Sequence, residues 1–330
     1  MQKYFYTDKT QKAIQGKFGA NQSIVGKSAH KFPVSAEREY IRFVNGYIAA
    51  IKETIEKELP NLKEEYLRQM DDSIREDGIF DFTSFLDNFF QKILDKLNAA
   101  DAGQSMITNL YRVGAITKKA EIREWRRMVK QTIGVDLSQD YYSGGFFEEE
   151  LEKWSSDNVD LIRTVPSDML DKMKQTILEG YNRGIGAADI ADSIRQDYDM
   201  SRNHARFIAR DQMAKLSASI TRKEHEDAGV TRYMWSDSGD ERVRPGHSIL
   251  NGKIFEYSNP PEIMEFRSTK HGSYWISTGR RCNPGEDYNC RCVAIPVFDK
   301  DTLTLPLEDE QNERVGRGTA PVVRQKRVAT

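Results

Sequence analysis

Cysteine and histidine are scarce in this chain: three cysteines and five histidines among 330 residues. A small, odd number of cysteines argues against a disulfide framework and for free thiols or metal ligands in a reducing compartment. No stretch approaches the roughly 18 consecutive apolar residues of a membrane span, so no membrane partner is expected. The opening residues, Met1 to Lys9, lack the apolar segment of a secretory signal, which predicts a cytoplasmic protein. Strong net charge is also missing. The balance of 49 basic and 51 acidic residues leaves −2, which by itself says nothing about nucleic acid.

What charge there is collects at the ends. Residues 1–32 carry six lysines (Lys3, Lys9, Lys12, Lys17, Lys27 and Lys31) against one acid, Asp8, a net +5. The last seventeen residues carry Arg314, Arg317, Arg324, Lys326 and Arg327 with no acid, again +5. Both ends are rich in Gly, Ser, Gln and Thr and lack apolar periodicity, which predicts mobile basic arms. Such an arm follows a phosphate backbone or an acidic protein face; a purely solubilising tail has the same composition. Lys3, Lys9, Lys12, Lys17, Arg324, Lys326 and Arg327 are therefore the candidate contacts to double-stranded DNA or a protein partner.

Between the arms, 38% hydrophobic residues suffice for ordinary cores and the length allows two domains. Apolar residues from Tyr40 to Ile55 recur at helical steps after a Ser35 cap, and Pro60 is expected to stop that helix. Further helices are predicted over 62–79, from about 81 to 102 with Phe85, Leu86, Phe89, Phe90 and Ile93 inward, and over 104–115 and 118–133. A loop follows at 135–145. Glu148, Glu149 and Glu150 are consecutive, so they point in different directions and fit a helix first turn better than a catalytic pair. Ser167 is expected to cap a new helix after Pro166, and residues 187–198 and 202–228 read as two more, the last ended by Gly229. One side of that last helix carries Arg206, Arg210, Lys215, Arg222 and Lys223, the pattern of a solvated face.

After Gly229 the period changes. Residues 231–236, 253–257 and 291–297 read as strands, and 242–250 as a short helix or turn ended by Asn251 and Gly252. The fold class is α+β: a mainly helical N-terminal body with a small C-terminal α+β module of short strands and long loops. The predicted divisions are a basic flexible arm (1–32), a helical region (33–145), a second helical region leading into the module (146–229), the module itself (230–300) and a flexible tail, basic at its end (301–330).

Chemistry-bearing residues crowd into the module. His247 lies close to Asp240, Glu241, Arg242 and Arg244, and Cys282, Cys290 and Cys292 fall within eleven residues of one another. If Cys290 and Cys292 are strand-borne they share a face, and with His247 and Cys282 they form a Cys3His set suited to Zn(II). Against zinc stand the one-residue spacer between Cys290 and Cys292 and the cations beside His247. Plain packing as small buried hydrophobes accounts for the thiols with no cofactor. The Asp240, Arg242, Arg244 and His247 group, with Asp287, similarly admits two readings. It is an acid-base site acting on a phosphodiester, or a set of charge-assisted ties that hold the 284–287 loop. Ties are favoured, because small domains with long loops need them and ion networks often imitate sites.

The stretches Leu161–Ile162, Gly184–Gly186, Ala205 to Gln212, Gly229–Val230, Trp235, Asp240 to Arg244 with His247, Leu250–Asn251–Gly252, Pro284–Gly285–Glu286–Asp287 and Cys290–Arg291–Cys292 occur in this order. Together they resemble the minor head proteins of tailed bacteriophages, the Mu-F-like head morphogenesis family, over residues 158–297. The resemblance implies a structural motif made of Trp235, Asp240, Arg242, Arg244, His247, Gly252, Pro284, Gly285, Asp287, Cys290, Arg291 and Cys292, with no catalytic residues. It also implies a low-copy capsid component that associates with the portal protein during procapsid assembly, beside scaffold or major capsid protein. Such a protein resides in the virion head after assembly in the bacterial host cytoplasm, and in some phages contacts packaged DNA and affects its delivery. The competing readings are a metal-dependent nuclease or other enzyme in the module, and a nucleic-acid-binding protein acting through its arms. A fused toxin domain is not expected, because only about 30 residues follow the module.

Overall fold

The computed structural model describes residues 6–28, 32–75, 81–99, 102–143, 145–183, 187–270 and 272–307. The first described helix is α1 (Asp8–Phe18), whose first turn is capped by Thr7 Oγ1 accepting from the Thr10 N–H at 3.2 Å. Thr10, Ile14 and Phe18 recur every four residues and are buried, while Lys9, Lys12 and Lys17 face solvent. Strand β1 (Ser23–Val25) follows. The reading of residues 1–32 as a mobile arm is thus corrected for 8–25. A buried stripe of Thr10, Ile14 and Phe18, two of them large and apolar, is hidden there among lysines, and its burial holds the helix down.

The body is built from long helices. These are α2 (Val34–Arg75), α3 (Phe82–Ala99), α4 (Ala102–Thr132), α6 (Glu148–Asn182) and α7 (Ala187–Asp227), with the short α5 (Gln139–Ser143) and a 3-10 turn (Gly145–Phe147) between α4 and α6. Their apolar faces converge on one core that includes Tyr40, Ile48, Leu110, Trp125, Ile162, Met213 and Ile220. Tyr40 Oη donates to Asn158 Oδ1 at 2.7 Å inside it, which satisfies a polar pair that bridges α2 and α6.

Several expected breaks are absent. α2 runs through Pro60, α4 is one helix and not two, α6 passes Pro166 without a new cap at Ser167, and α7 is continuous through 198–202. An internal proline costs about 3 kcal/mol. At Pro166 buried Ile162 on one side and Met169, Leu170 and Met173 on the other keep both halves in the core and offset that cost.

The module contains two sheets. The larger has the order β1-β6-β2-β3, with β2 (Arg232–Ser236), β3 (Ile254–Glu256) and β6 (Val293–Asp299), all neighbours antiparallel. In register, Ser23 faces Asp299 and Val25 faces Val297, so among the described residues the first strand pairs with the last. The Lys300 N–H donates to Gln22 O at 3.0 Å and the Leu305 N–H to Tyr6 Oη at 2.6 Å. Leu305 and Leu307 are buried in the helical core, which corrects the flexible-tail reading for 301–307. The smaller sheet is a hairpin of β4 (Glu262–Thr269) and β5 (Gly272–Arg281), in a stretch where the sequence analysis predicts no strand. Helix α8 (Pro245–Ser248) sits between β2 and β3. Among the described residues no helix is long and apolar enough to cross a membrane.

Candidate functional site

Trp235 is fully buried on β2 and sets the floor of the site. The Trp235 N–H donates to Lys253 O and the Gly252 N–H to Trp235 O, each at 2.8 Å, so the 236–252 excursion leaves and returns at one point. That excursion carries α8, and α8 carries His247, whose ring meets the Trp235 indole edge-on at 5.7 Å. The second half of the site comes from the loop between β5 and β6. Pro284 and Gly285 are buried against α7, whose Ala218 and Ala214 lie directly beneath Gly285. This seat brings Asp287, Cys290 and Cys292 over His247.

The two faces of the imidazole then have different partners. Nε2 is 3.0 Å from Asp287 Oδ2, while Nδ1 is 3.4 Å from Cys290 Sγ and 3.5 Å from Cys292 Sγ. His247, Asp287, Cys290 and Cys292 are at most 5% exposed. Asp287 also takes Arg244 Nη1 at 3.2 Å and Arg280 Nη2 at 3.5 Å, and Arg244 donates to Tyr288 O at 2.5 Å. Burial pushes the Asp287 carboxyl up, but the His247 hydrogen bond and the two guanidinium charges outweigh it and hold it below the usual range. Burial also disfavours charge on His247, yet Asp287 and Cys290 keep its pKa above the ordinary histidine value. Of the two thiols Cys290 is the acidic one, because the Cys292 thiol and His247 both hydrogen-bond to its sulfur. Cys292 is correspondingly raised. Burial pushes Cys282 up to about 12.

The expected motif residues are thus only partly one cluster. His247, Asp287, Cys290, Cys292, Trp235 and Arg244 come together. Asp240 does not reach His247; it pairs with Arg291 at 2.6 Å on the surface. Arg242 is exposed, and its tie to Asp240 runs through its backbone N–H at 3.0 Å, so the expected side-chain tie from Arg242 is corrected. Cys290 and Cys292 lie in the loop before β6, so a shared strand face is not what brings their sulfurs together. Cys282 falls outside the ligand cluster of His247, Cys290 and Cys292. Gly252 forms the turn at φ 75°. Lys3, Arg324, Lys326 and Arg327 lie outside the described residues. Arg280 and Asp211 were missed. Asp211, on α7, accepts the Asn289 N–H at 2.8 Å and ties the cysteine loop to the helical body.

Residues 171–295 match the family described as phage Mu protein F like protein. They form a Mu F-like region. It runs from within α6 to β6 and contains every residue of the buried cluster. Among curated proteins, the chain is 32% identical over 264 residues to an uncharacterized protein of Haemophilus influenzae, covering 78% of this chain and 55% of that one. Over 160 residues it is 24% identical to the minor head protein GP7 of Bacillus phage SPP1, covering 48% of each. Over 150 residues it is 25% identical to a protein of Enterococcus faecalis named NAD(+)--arginine ADP-ribosyltransferase EFV, covering 44% of this chain and 29% of that one. The chain therefore spans about half the length of the first two relatives. No solved structure matches the chain.

Proposed function

We propose that this chain is a minor head protein of a tailed phage or prophage, acting in head morphogenesis as a non-catalytic component of the virion head. Its Mu F-like region docks on the portal during procapsid assembly in the host cytoplasm, beside scaffold or major capsid protein. One observation carries the reading: the polar residues of that region, which sequence reasoning offers as a possible acid-base site, are consumed in internal ties. Asp287 is shared among His247, Arg244 and Arg280, Asp240 is taken by Arg291, and a substrate cannot reach the buried four without displacing the 283–292 loop. Such a network fixes shape, and fixed shape serves docking. The transferase name of the Enterococcus relative belongs to that protein, of which this chain spans 29%.

The test is co-expression with the portal protein of the same phage or prophage, followed by sedimentation. Co-sedimentation with the portal oligomer is expected. A chain that stays separate from portal and instead cuts or modifies nucleic acid or protein catalytically would overturn the reading.

DNA contact belongs to the same proposal, through α1 in preference to α7. On α7, Arg210 pairs with Glu37, Lys215 with Asp211, Arg222 with Glu226 and Lys223 with Glu150, so most of that basic side is already neutralised. Lys9, Lys12 and Lys17 stand exposed on one short helix. Changing all three to Glu is expected to weaken duplex binding and flatten its salt dependence. Unchanged binding and an unchanged slope would remove α1 from the DNA-contact proposal.

A further inference from the structure

His247, Cys290 and Cys292 bring three donor atoms of metal-ligand type together. Asp287 sits on Nε2, so Nδ1 is the ring nitrogen turned toward the thiols. It faces two sulfurs, at 3.4 and 3.5 Å. Hydrogen bonds among the three converge on the Cys290 sulfur, whereas one cation placed between them would be held by all three at once.

The dimensions fit a particular cation. With Zn–N near 2.0–2.1 Å and Zn–S near 2.3 Å, a tetrahedral centre has an N···S edge of about 3.6 Å. The two observed N···S separations match that edge. The three donor atoms lie within 4.8 Å of one another, and all three residues are buried. The outer contacts agree as well. A carboxylate on the far nitrogen of a ligating histidine fixes its tautomer and raises its basicity, as Asp287 does here. The Cys292 N–H points at Cys290 Sγ at 3.4 Å, a contact that favours a thiolate. The cations beside His247 do not oppose a metal, because Arg244 and Arg280 are spent on Asp287 and Arg291 on Asp240.

We infer that His247 Nδ1, Cys290 Sγ and Cys292 Sγ bind one zinc ion that pins α8 to the loop before β6, with Cys282 outside its ligand set. On binding, each of the two thiols gives up its proton to solvent and the sulfurs ligate as thiolates, while His247 binds neutral with its Nε2 proton on Asp287. The zinc is a structural clasp of the docking module, and its presence can be measured whether or not the chain joins a phage head.

The experiment uses the full untagged chain purified without chelator. Elemental analysis is expected to find zinc at one per chain, and unfolding in the presence of a metallochromic dye to release it. Cys290→Ser, Cys292→Ser and His247→Ala lose the zinc, whereas Cys282→Ser keeps it. Substitution with Co(II) gives the thiolate charge-transfer and ligand-field bands of a tetrahedral site, a signature that needs no variant to fold. A chain that contains no zinc and takes up neither Zn(II) nor Co(II) overturns the inference. Loss of zinc in Cys282→Ser overturns the three-residue ligand set.

Discussion

The backbone N–H of Asn289 donates to the Asp211 carboxylate at 2.8 Å, across 78 residues of sequence. Asp211 lies in the middle of α7, and Asn289 precedes Cys290 with φ at 48°, a left-handed conformation that asparagine tolerates better than most residues. One carboxylate thus sets the approach of the cysteine loop to the helical body.

Asp211→Ala is expected to lower stability by about 1–3 kcal/mol, because it strands a part-buried N–H and the Lys215 ammonium together. Lys215→Ala removes only a half-exposed partner and is expected to cost under about 1 kcal/mol. Urea unfolding of the two variants side by side checks the order; equal costs would show that the Asn289 contact contributes nothing.

Two glycines with similar backbone conformations separate strain from collision. Gly285 has φ 85° and Gly252 φ 75°. A Cβ on Gly285 would stand 2.7 Å from Ala218 Cβ and 3.3 Å from Ala214 O, whereas nothing lies within 4 Å of one on Gly252. Gly252→Ala is therefore expected to cost about 1 kcal/mol from backbone strain alone. Gly285→Ala adds overpacking against α7, about 1–3 kcal/mol more. Melting temperatures of the two variants are the measurement.

A buried acid predicts how stability varies with pH. Both carboxylate oxygens of Glu224 lack a hydrogen-bond partner among the described residues, and the side chain is fully buried. Burial first, and then the nearby charges of Glu121 and Asp227, push its pKa well above the ordinary value. Below the ordinary carboxylate range both states are protonated and Glu224 has no effect. Above it the unfolded chain releases a proton that the folded chain keeps. Stability then falls by about 1.4 kcal/mol per pH unit until the folded group ionises. Glu224→Gln should remove that slope and be the more stable protein at neutral pH. Parallel slopes for the two proteins in urea titrations across this range would contradict the assignment.

The N-terminal helix gives a prediction about what its residues do. Phe18 is 1% exposed, so Phe18→Ala is expected to cost about 3–5 kcal/mol, while Lys12→Ala stays within about 0.5 kcal/mol. If the segment were a loose tail, neither change would register in a thermal melt.

That segment also shows where the sequence could be read and where it could not. The long helices were legible, because stripes such as Tyr40, Val44 and Ile48 repeat over many turns. Their boundaries were not: proline and polar signals at 60, 166 and 201 were overridden by packing on either side, which no local pattern reports. The strands around Trp235 and before Asp299 followed from alternation. The β4–β5 hairpin was missed although its aromatic and β-branched content was visible, since its exposed faces show no inward-outward contrast to count. In the candidate site, His247, Cys290 and Cys292 were picked out by scarcity and proximity in sequence. Arg280 and Asp211 were not, because their roles depend on a hairpin and a helix that only the folded chain brings beside Asp287 and Asn289.

The pairing of Ser23–Val25 with Val297–Asp299 has a consequence for how the protein is made. On the ribosome, β1 must wait for a strand translated some 270 residues later before its edge is covered. At bacterial rates of roughly 5–20 residues per second, that interval lasts from about ten seconds to about a minute. Throughout it the Ser23–Val25 edge lacks its partner strand, so nascent chains stalled before β6 present an open strand edge to chaperones and to self-association.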